Sequence, residues 1–175
     1  MRYYDIEVAG TKRALKLCPI NQDLCIAAFL ILGDTELTVN CAAALLERAP
    51  KYDFLLTAEA KSIPLVIVAR KGRKLYMDNP ICVGVKSITT EKDQKLYVDQ
   101  EEMEQMRGKR ILIVDDVIST GRSLQALEEI AAAAGADVVG KMAVLAEGDA
   151  ASRTDISYLE KLPLFNGKGE PLPFD

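Results

Sequence analysis

Ile111-Leu112-Ile113-Val114-Asp115-Asp116-Val117-Ile118-Ser119-Thr120-Gly121-Arg122-Ser123 decides the fold. An apolar run leads into two adjacent acids, and a short loop of small hydroxylated residues with one glycine follows. Leu124, Leu127, Ile130, Ala131 and Ala134 then recur at helical spacing, and Gly135 is a natural stop. The pattern predicts a strand over Arg110–Asp115, a loop, and a helix, with carboxylates at the strand's C-terminal edge. Amides at a helix start favour a phosphate dianion, and the helix dipole adds to that attraction. The acids can accept hydrogen bonds from ribose hydroxyls. Open α/β sheets bind ligands beyond the carboxyl ends of their strands, so the arrangement suits a sugar phosphate. The plainer alternative is a buried strand ending in a turn with an Asp cap.

Outward from this stretch, elements alternate. Tyr4, Ile6 and Val8, then Ala9-Gly10-Thr11, then Leu15 and Leu17 predict a hairpin. Leu24–Leu32 is apolar, and periodicity does not decide between strand and helix. Asp34 is placed to cap a helix through Leu37, Cys41, Ala44 and Leu45 that ends by Pro50. Tyr52–Leu56 and Leu65–Ala69 are expected as short strands. Ile81–Ile88 and Lys95–Val98 are expected as two arms of a hairpin, Glu101–Met106 as one helical turn, and Val138–Ala146 as a strand. Ala150–Ser157 is expected to be helical and the tail Leu159–Asp175 irregular. Strands alternating with helices point to an α/β fold with a mainly parallel sheet flanked by helices.

The totals exclude several classes. A chain of 175 residues fits one domain, 1–175, and 49% hydrophobic with 27% charged residues is a globular balance. A formal charge of −4 argues against a general nucleic-acid binder. Histidine is absent, which removes histidine bases, Ser-His-Asp triads and histidine-held zinc. Cys18, Cys25, Cys41 and Cys82 show no C-x-x-C spacing, so reduced and mostly buried thiols in a cytoplasmic protein are expected. No signal peptide is read at the start, and Ile26–Leu32 is too short to span a bilayer, so no membrane partner is expected.

The Val114–Ser123 motif resembles the phosphoribosyl pyrophosphate (PRPP) signature of the type I phosphoribosyltransferases. Four further stretches are similar to the adenine and xanthine branch of that family. They are Glu59-Ala60-Lys61-Ser62-Ile63-Pro64, Val68-Ala69-Arg70-Lys71 with Lys74, the hairpin from Leu75 to Val98, and Val144-Leu145-Ala146-Glu147 followed by Arg153. The resemblance implies a β-hairpin flap, a small hood from about residues 1–33 with the C-terminal tail, and a homodimer. It implies a transfer in which a nucleobase nitrogen displaces pyrophosphate from the sugar, with PRPP and a purine as partners and magnesium (Mg2+) as cofactor. Asp115 and Asp116 would hold the ribose diol, directly or through magnesium and water, and ease developing positive charge on the ring. Ser119, Thr120, Gly121, Arg122 and Ser123 would seat the 5'-phosphate. Glu59, Ala60, Lys61, Arg70, Lys71 and Lys74 would meet pyrophosphate. Asn21 and Phe165 are candidate base contacts, with a turn residue and a core aromatic as the competing interpretations. Relatives of the xanthine type carry a lysine where this chain has Gly148, which favours adenine as acceptor.

One departure concerns the connection between the strands 52–56 and 65–69. The resemblance implies parallel neighbours, and parallel neighbours need a crossover of about a dozen residues, usually a helix. Only Thr57–Pro64 separates them. Either these strands pair differently, or the crossover helix is lost and apolar sheet surface is exposed. Besides an adenine enzyme, the sequence leaves open xanthine or another purine as acceptor, a PRPP-sensing regulator, and an inactive homologue.

Overall fold

A computed structural model describes residues 2–58, 66–73, 77, 80–85 and 94–174. The elements run β1 (Tyr3–Val8), β2 (Thr11–Pro19), β3 (Leu24–Ala28), α1 (Thr35–Leu46), β4 (Phe54–Ala58) and β5 (Val66–Ala69). Then come β6 (Ile81–Val85), β7 (Gln94–Val98), α2 (Gln100–Met106), β8 (Arg110–Ile118) and α3 (Arg122–Ala134). The chain continues through β9 (Asp137–Glu147), a 3-10 turn (Gly148–Ser152), β10 (Ser157–Leu162) and β11 (Phe165–Asn166). Two compact units emerge. Unit 1 gathers Met1–Arg48, Asp116–Thr120 and Ala143–Asp175; unit 2 holds Ala49–Asp115 and Gly121–Met142.

Unit 1 contains an antiparallel sheet in the order β1-β2-β3-β11, over the residues expected to form the hood. Alternation turns Ile6 and Val8 of β1, Leu15 and Leu17 of β2, and Cys25 and Ala27 of β3 into one core with Leu37, Cys41, Val144, Leu145, Leu162 and Phe165. Truncating one such aliphatic side chain to alanine costs about 2–5 kcal/mol. Helix α1 begins where Asp34 accepts the Leu37 amide at 3.1 Å. The same carboxylate receives Arg13 Nε at 2.6 Å and Nη2 at 2.9 Å. First the Arg13 hydrogen bond and then the Leu37 amide hold Asp34 down to about 2.

In unit 2, β4 pairs parallel with β5 (Leu55 opposite Val66) and with β8 (Leu55 opposite Leu112). The full order in this sheet is β10-β9-β8-β4-β5. Buried Leu56, Ile67, Ile111, Leu112 and Ile113 fill its strands, and Leu124, Leu127 and Ile130 form the buried stripe of α3. Asp53 and Arg110 tie the starts of β4 and β8. The Asp53 amide donates to Arg110 O at 2.8 Å, and the Asp53 carboxylate accepts the Arg110 amide at 2.9 Å and Nη2 at 2.8 Å. Strands β6 and β7 form the expected hairpin, with Ile81 opposite Val98. Helix α2 starts with a capping box of Asp99 and Glu102 and buries Met103 and Met106.

Several expectations need correction. Strands β4 and β5 are parallel neighbours although only seven residues, 59–65, join them. Different pairing is therefore ruled out, and the connection is shorter than a helical crossover. Strand β8 does not stop at Asp115 but continues to Ile118, because Val117 packs against the core of unit 1 and Ile118 is buried. Of Leu24–Leu32, only Leu24–Ala28 is strand. The stretch Ala150–Ser157 is helical only in the 3-10 turn to Ser152; Ser157 already begins β10. The tail is not irregular throughout, since β11 pairs with β3 through Phe165 opposite Cys25. All four cysteines are free; Cys25 and Cys41 are buried, Cys18 is half-buried and Cys82 is exposed. No described helix is long and apolar enough to cross a membrane.

Candidate functional site

Strand β8 carries Asp115 and Asp116 to the loop before α3. Asp115 is half-buried and Asp116 exposed. The Asp116 carboxylate accepts the Val117 amide through Oδ1 at 2.8 Å, which folds the side chain along its own strand. After Ile118 and Ser119, the exposed Thr120 leads to Gly121. Gly121 takes the left-handed conformation (φ 75°) and occupies the cap position of α3 without any side-chain cap. Only glycine adopts this conformation at little cost. The first-turn amides of α3 are thus not consumed by an Asp or Ser cap, as the plainer interpretation of the sequence required. Such amides carry partial positive charge that suits an anion. Arg122 and Ser123 follow, both exposed.

Strand β9 adds a residue to which the sequence assigned no role. Glu147 ends the strand after the buried run Met142–Ala146 and is itself 9% exposed. Burial pushes its carboxyl up, and a hydrogen bond from the Ser119 hydroxyl partly opposes that rise. The available sequence signal was a single acid closing an unbroken apolar run. Gly148 follows with φ 57°, and a Cβ there would lie 3.0 Å from Leu164 Cδ1.

Arg70 lies just past β5. Its amide donates to Tyr97 O at 2.9 Å, and its carbonyl accepts the Tyr97 amide at 2.8 Å. The basic turn is thereby joined to the β7 arm of the hairpin. Arg70 is half-buried and Lys71 exposed. Glu59, Ala60, Lys61 and Lys74 lie outside the described residues.

The two base candidates are placed in unit 1. Asn21 is exposed and accepts the Asp23 amide through Oδ1 at 2.9 Å, the local bond of a turn residue. Phe165 is 1% exposed and meets the Tyr4 ring edge-on at 5.0 Å, so its ring fills the core. Arg153 pairs with Asp155 through Nε at 2.9 Å and Nη2 at 2.7 Å. Among the described residues, no group of three or more acids or cysteines is gathered as a metal cage. Magnesium needs only one or two carboxylates beside substrate phosphates and water, so the Asp115-Asp116 pair fits that ion.

Residues 89–163 match the family model of the phosphoribosyl transferase domain. The chain is 36% identical over 87 residues to the xanthine phosphoribosyltransferase of Geobacillus thermodenitrificans, covering 49% of this chain and 43% of that one. It is 31% identical over 134 residues to the hypoxanthine/guanine phosphoribosyltransferase of Methanotorris igneus, covering 66% and 69% respectively. The chain spans about half the length of the first curated relatives it matches, 43% in one and 57% in another. Among solved structures, the adenine phosphoribosyltransferase of Thermoanaerobacter pseudethanolicus aligns with a TM-score of 0.67 at 18% identity. That alignment covers 84% of this chain and 95% of the other, and it shows the same fold.

Proposed function

This chain belongs to the phosphoribosyltransferase family, and on that premise we propose that it transfers the phosphoribosyl group of PRPP to adenine, giving AMP and pyrophosphate. The observation that carries the proposal is the loop after β8. It offers an exposed carboxylate at Asp116 and a helix start that no side chain caps. The sugar phosphate would lie with its 5'-phosphate on the amides and hydroxyls of residues 119–123. Asp116, with Asp115, would accept the ribose hydroxyls. As the bond to pyrophosphate lengthens, the ring gains positive charge, and the field of these carboxylates lowers the barrier. Arg70 and Lys71, with Lys74 and the Glu59-Ala60-Lys61 stretch, would bind the departing pyrophosphate by charge-assisted hydrogen bonds. Magnesium held at Asp115 and Asp116 would neutralise part of the pyrophosphate charge.

Relatives named for adenine, xanthine and hypoxanthine/guanine support a purine acceptor. Adenine is preferred because Gly148 supplies no cationic donor for an oxo group. Its left-handed backbone and its closeness to Leu164 also disfavour a long side chain there. Asn21 remains the exposed base candidate of the two. The protein would work in the cytoplasm as a homodimer, with no membrane or nucleic-acid partner.

One assay tests this. The protein is incubated with magnesium, PRPP and each of adenine, hypoxanthine, guanine and xanthine, and pyrophosphate is measured. Release with adenine alone is expected; release only with another base moves the acceptor. A second possibility, a homologue that binds PRPP without turnover, is favoured by the seven residues between β4 and β5. Calorimetric PRPP binding without pyrophosphate release would select it.

A further inference from the structure

Helix α1 of unit 1 is apolar almost all the way round. Between Leu37 and Leu46 only Thr38 and Asn40 are polar. A helix of this kind is normally covered on every side, but α1 is covered on one. Leu37 and Cys41 are buried, and Leu45 packs against the core of unit 1. On the opposite face, Val39, Ala42, Ala43 and Leu46 are exposed, at the spacing i, i+3, i+4 and i+7 that forms one stripe. Val39 and Leu46 are each more than half exposed. Two more exposed leucines, Leu30 and Leu32, stand in the segment that enters the helix. There the Ile31 carbonyl accepts the Asp34 amide at 3.1 Å and the Thr38 hydroxyl at 3.3 Å.

The stripe is large at both ends and small in the middle, so it presents the same profile in either direction. Two antiparallel copies, related by a two-fold axis between Ala42 and Ala43, would set Val39 of each against the partner's Leu46. The alanines would let the helix axes approach to about 8 Å, the close limit of helix packing. Charge favours the same arrangement. At the start of α1, Asp34 and Glu36 share the single guanidinium of Arg13, which leaves that end with a surplus negative charge. Just past the other end, Arg48 is held by the Tyr158 carbonyl at 2.8 Å and offsets Glu47. Antiparallel pairing keeps the two negative ends apart and brings each beside the partner's Arg48. It also opposes the helix dipoles. A lipid surface fits poorly, because it favours lysine and arginine flanks, and the residues bordering the stripe are Thr35, Glu36, Thr38 and Glu47. A stable dimer buries about 800 Å² per partner, with an apolar centre and a polar rim. The stripe supplies the centre, and these bordering residues supply the rim.

We infer that the outer face of α1 binds a second copy of this chain as an antiparallel helix pair. The proposed homodimer thereby gains a specific surface, and the inference stands whether or not the protein turns PRPP over.

The test is sedimentation equilibrium of the full chain without ligand, from about 1 to about 100 μM, with folding followed by Tm. Wild type is expected to dimerise within this range. Val39→Glu and Leu46→Lys are each expected to raise the dimer Kd at least thirtyfold, roughly the loss of an interface hot spot. The Tm at low concentration should stay close to wild type, since both positions are exposed. The Val39→Glu/Leu46→Lys double variant discriminates orientation. In the antiparallel pair each new glutamate meets the partner's new lysine, so the Kd should return to within about tenfold of wild type. In a parallel pair like charges would meet, and the double variant would be worse than either single one.

A wild type that stays monomeric overturns the inference. So does a dimer that neither single variant weakens, because it would use another face. A double variant no better than the single ones overturns the antiparallel pairing. If a single variant fails to fold, Ala42→Arg decides instead, because arginine suits an exposed helix position and would meet its own copy near the axis. An unchanged dimer in that variant defeats the inference. None of these readings depends on pyrophosphate release, so failure of the transfer reaction is recognised separately.

Discussion

Strands β4 and β8 are neighbours in one parallel sheet, yet the chain leaves them by different routes. After β8 come eighteen residues, 119–136, including the whole of α3; after β4 come seven, 59–65. The first route is a full crossover with a helix, as parallel strands require. It brings a helix start with its amides to the end of β8. The second joins β4 to β5, its parallel neighbour, through a stretch of seven residues. Beyond β5, Arg70 is joined to the β7 arm of the hairpin through the backbone of Tyr97.

If the difference is functional, the β8 route should dominate catalysis. Asp116→Asn is expected to cut kcat by roughly 10²–10³-fold, in the range of losing one group aimed at developing charge. Asp93→Asn, between the hairpin arms, should stay within about twofold. Equal losses in steady-state assays would break the comparison. The β4 route has its own test. Arg70→Ala should raise the PRPP Kd about tenfold, the equivalent of one charge-assisted hydrogen bond at roughly 1.5 kcal/mol. Ribose 5-phosphate lacks the pyrophosphate, so its Kd should not move. Calorimetry with both ligands separates a true pyrophosphate contact from a general loss of fold.

The two ends of α3 sharpen the contrast further. Gly121 and Gly135 are both left-handed, with φ 75° and 69°. Alanine at either should cost roughly 1–2 kcal/mol, read as a fall in Tm. Only Gly121→Ala should also weaken PRPP binding; equal binding losses would remove the case for a ligand at the helix start. The smallest effect concerns the opposite ends of the strands. The Arg110 bonds hold Asp53 down to about 2 from 3.8. A carboxyl lowered on folding stabilises the protein above its ordinary value and loses that contribution as pH falls. The Tm should thus decline between about pH 3.8 and about pH 2, and Asp53→Asn should flatten part of that decline. Asp34, also at about 2 beside Arg13, contributes in the same direction.

Elements with local causes were legible in the sequence. The Ala9-Gly10 turn, the Asp34 cap and the Gly135 stop all operate within a few residues, and the hairpin, α1 and α3 appear where those signals put them. Strands with distant partners were not. Strands β10 and β11 sit among Pro163, Pro171 and glycines, and nothing nearby in sequence tells Phe165 that Cys25 will pair with it. The end of β8 was misjudged for the same reason, since the adjacent acids mark a boundary that distant core packing overrides. Within the site, the acids and the Ser-Thr-Gly loop could be read directly. The influence of Ser119 on Glu147 could not, because it links the loop after β8 to the end of β9.

The antiparallel sheet of unit 1 also shapes how the chain reaches its native state. Arg2 donates to Gly167 O at 3.1 Å across a sequence separation of 165. Closing a loop that long costs about 4–5 kcal/mol of chain entropy on a logarithmic scale. The stretches of unit 2 lie inside that span, so they can condense while β11 is still being synthesised. Until it arrives, Leu24 and Cys25 of β3 lack their last strand partner, and the core of unit 1 lacks Phe165. Refolding should show that core sealing last.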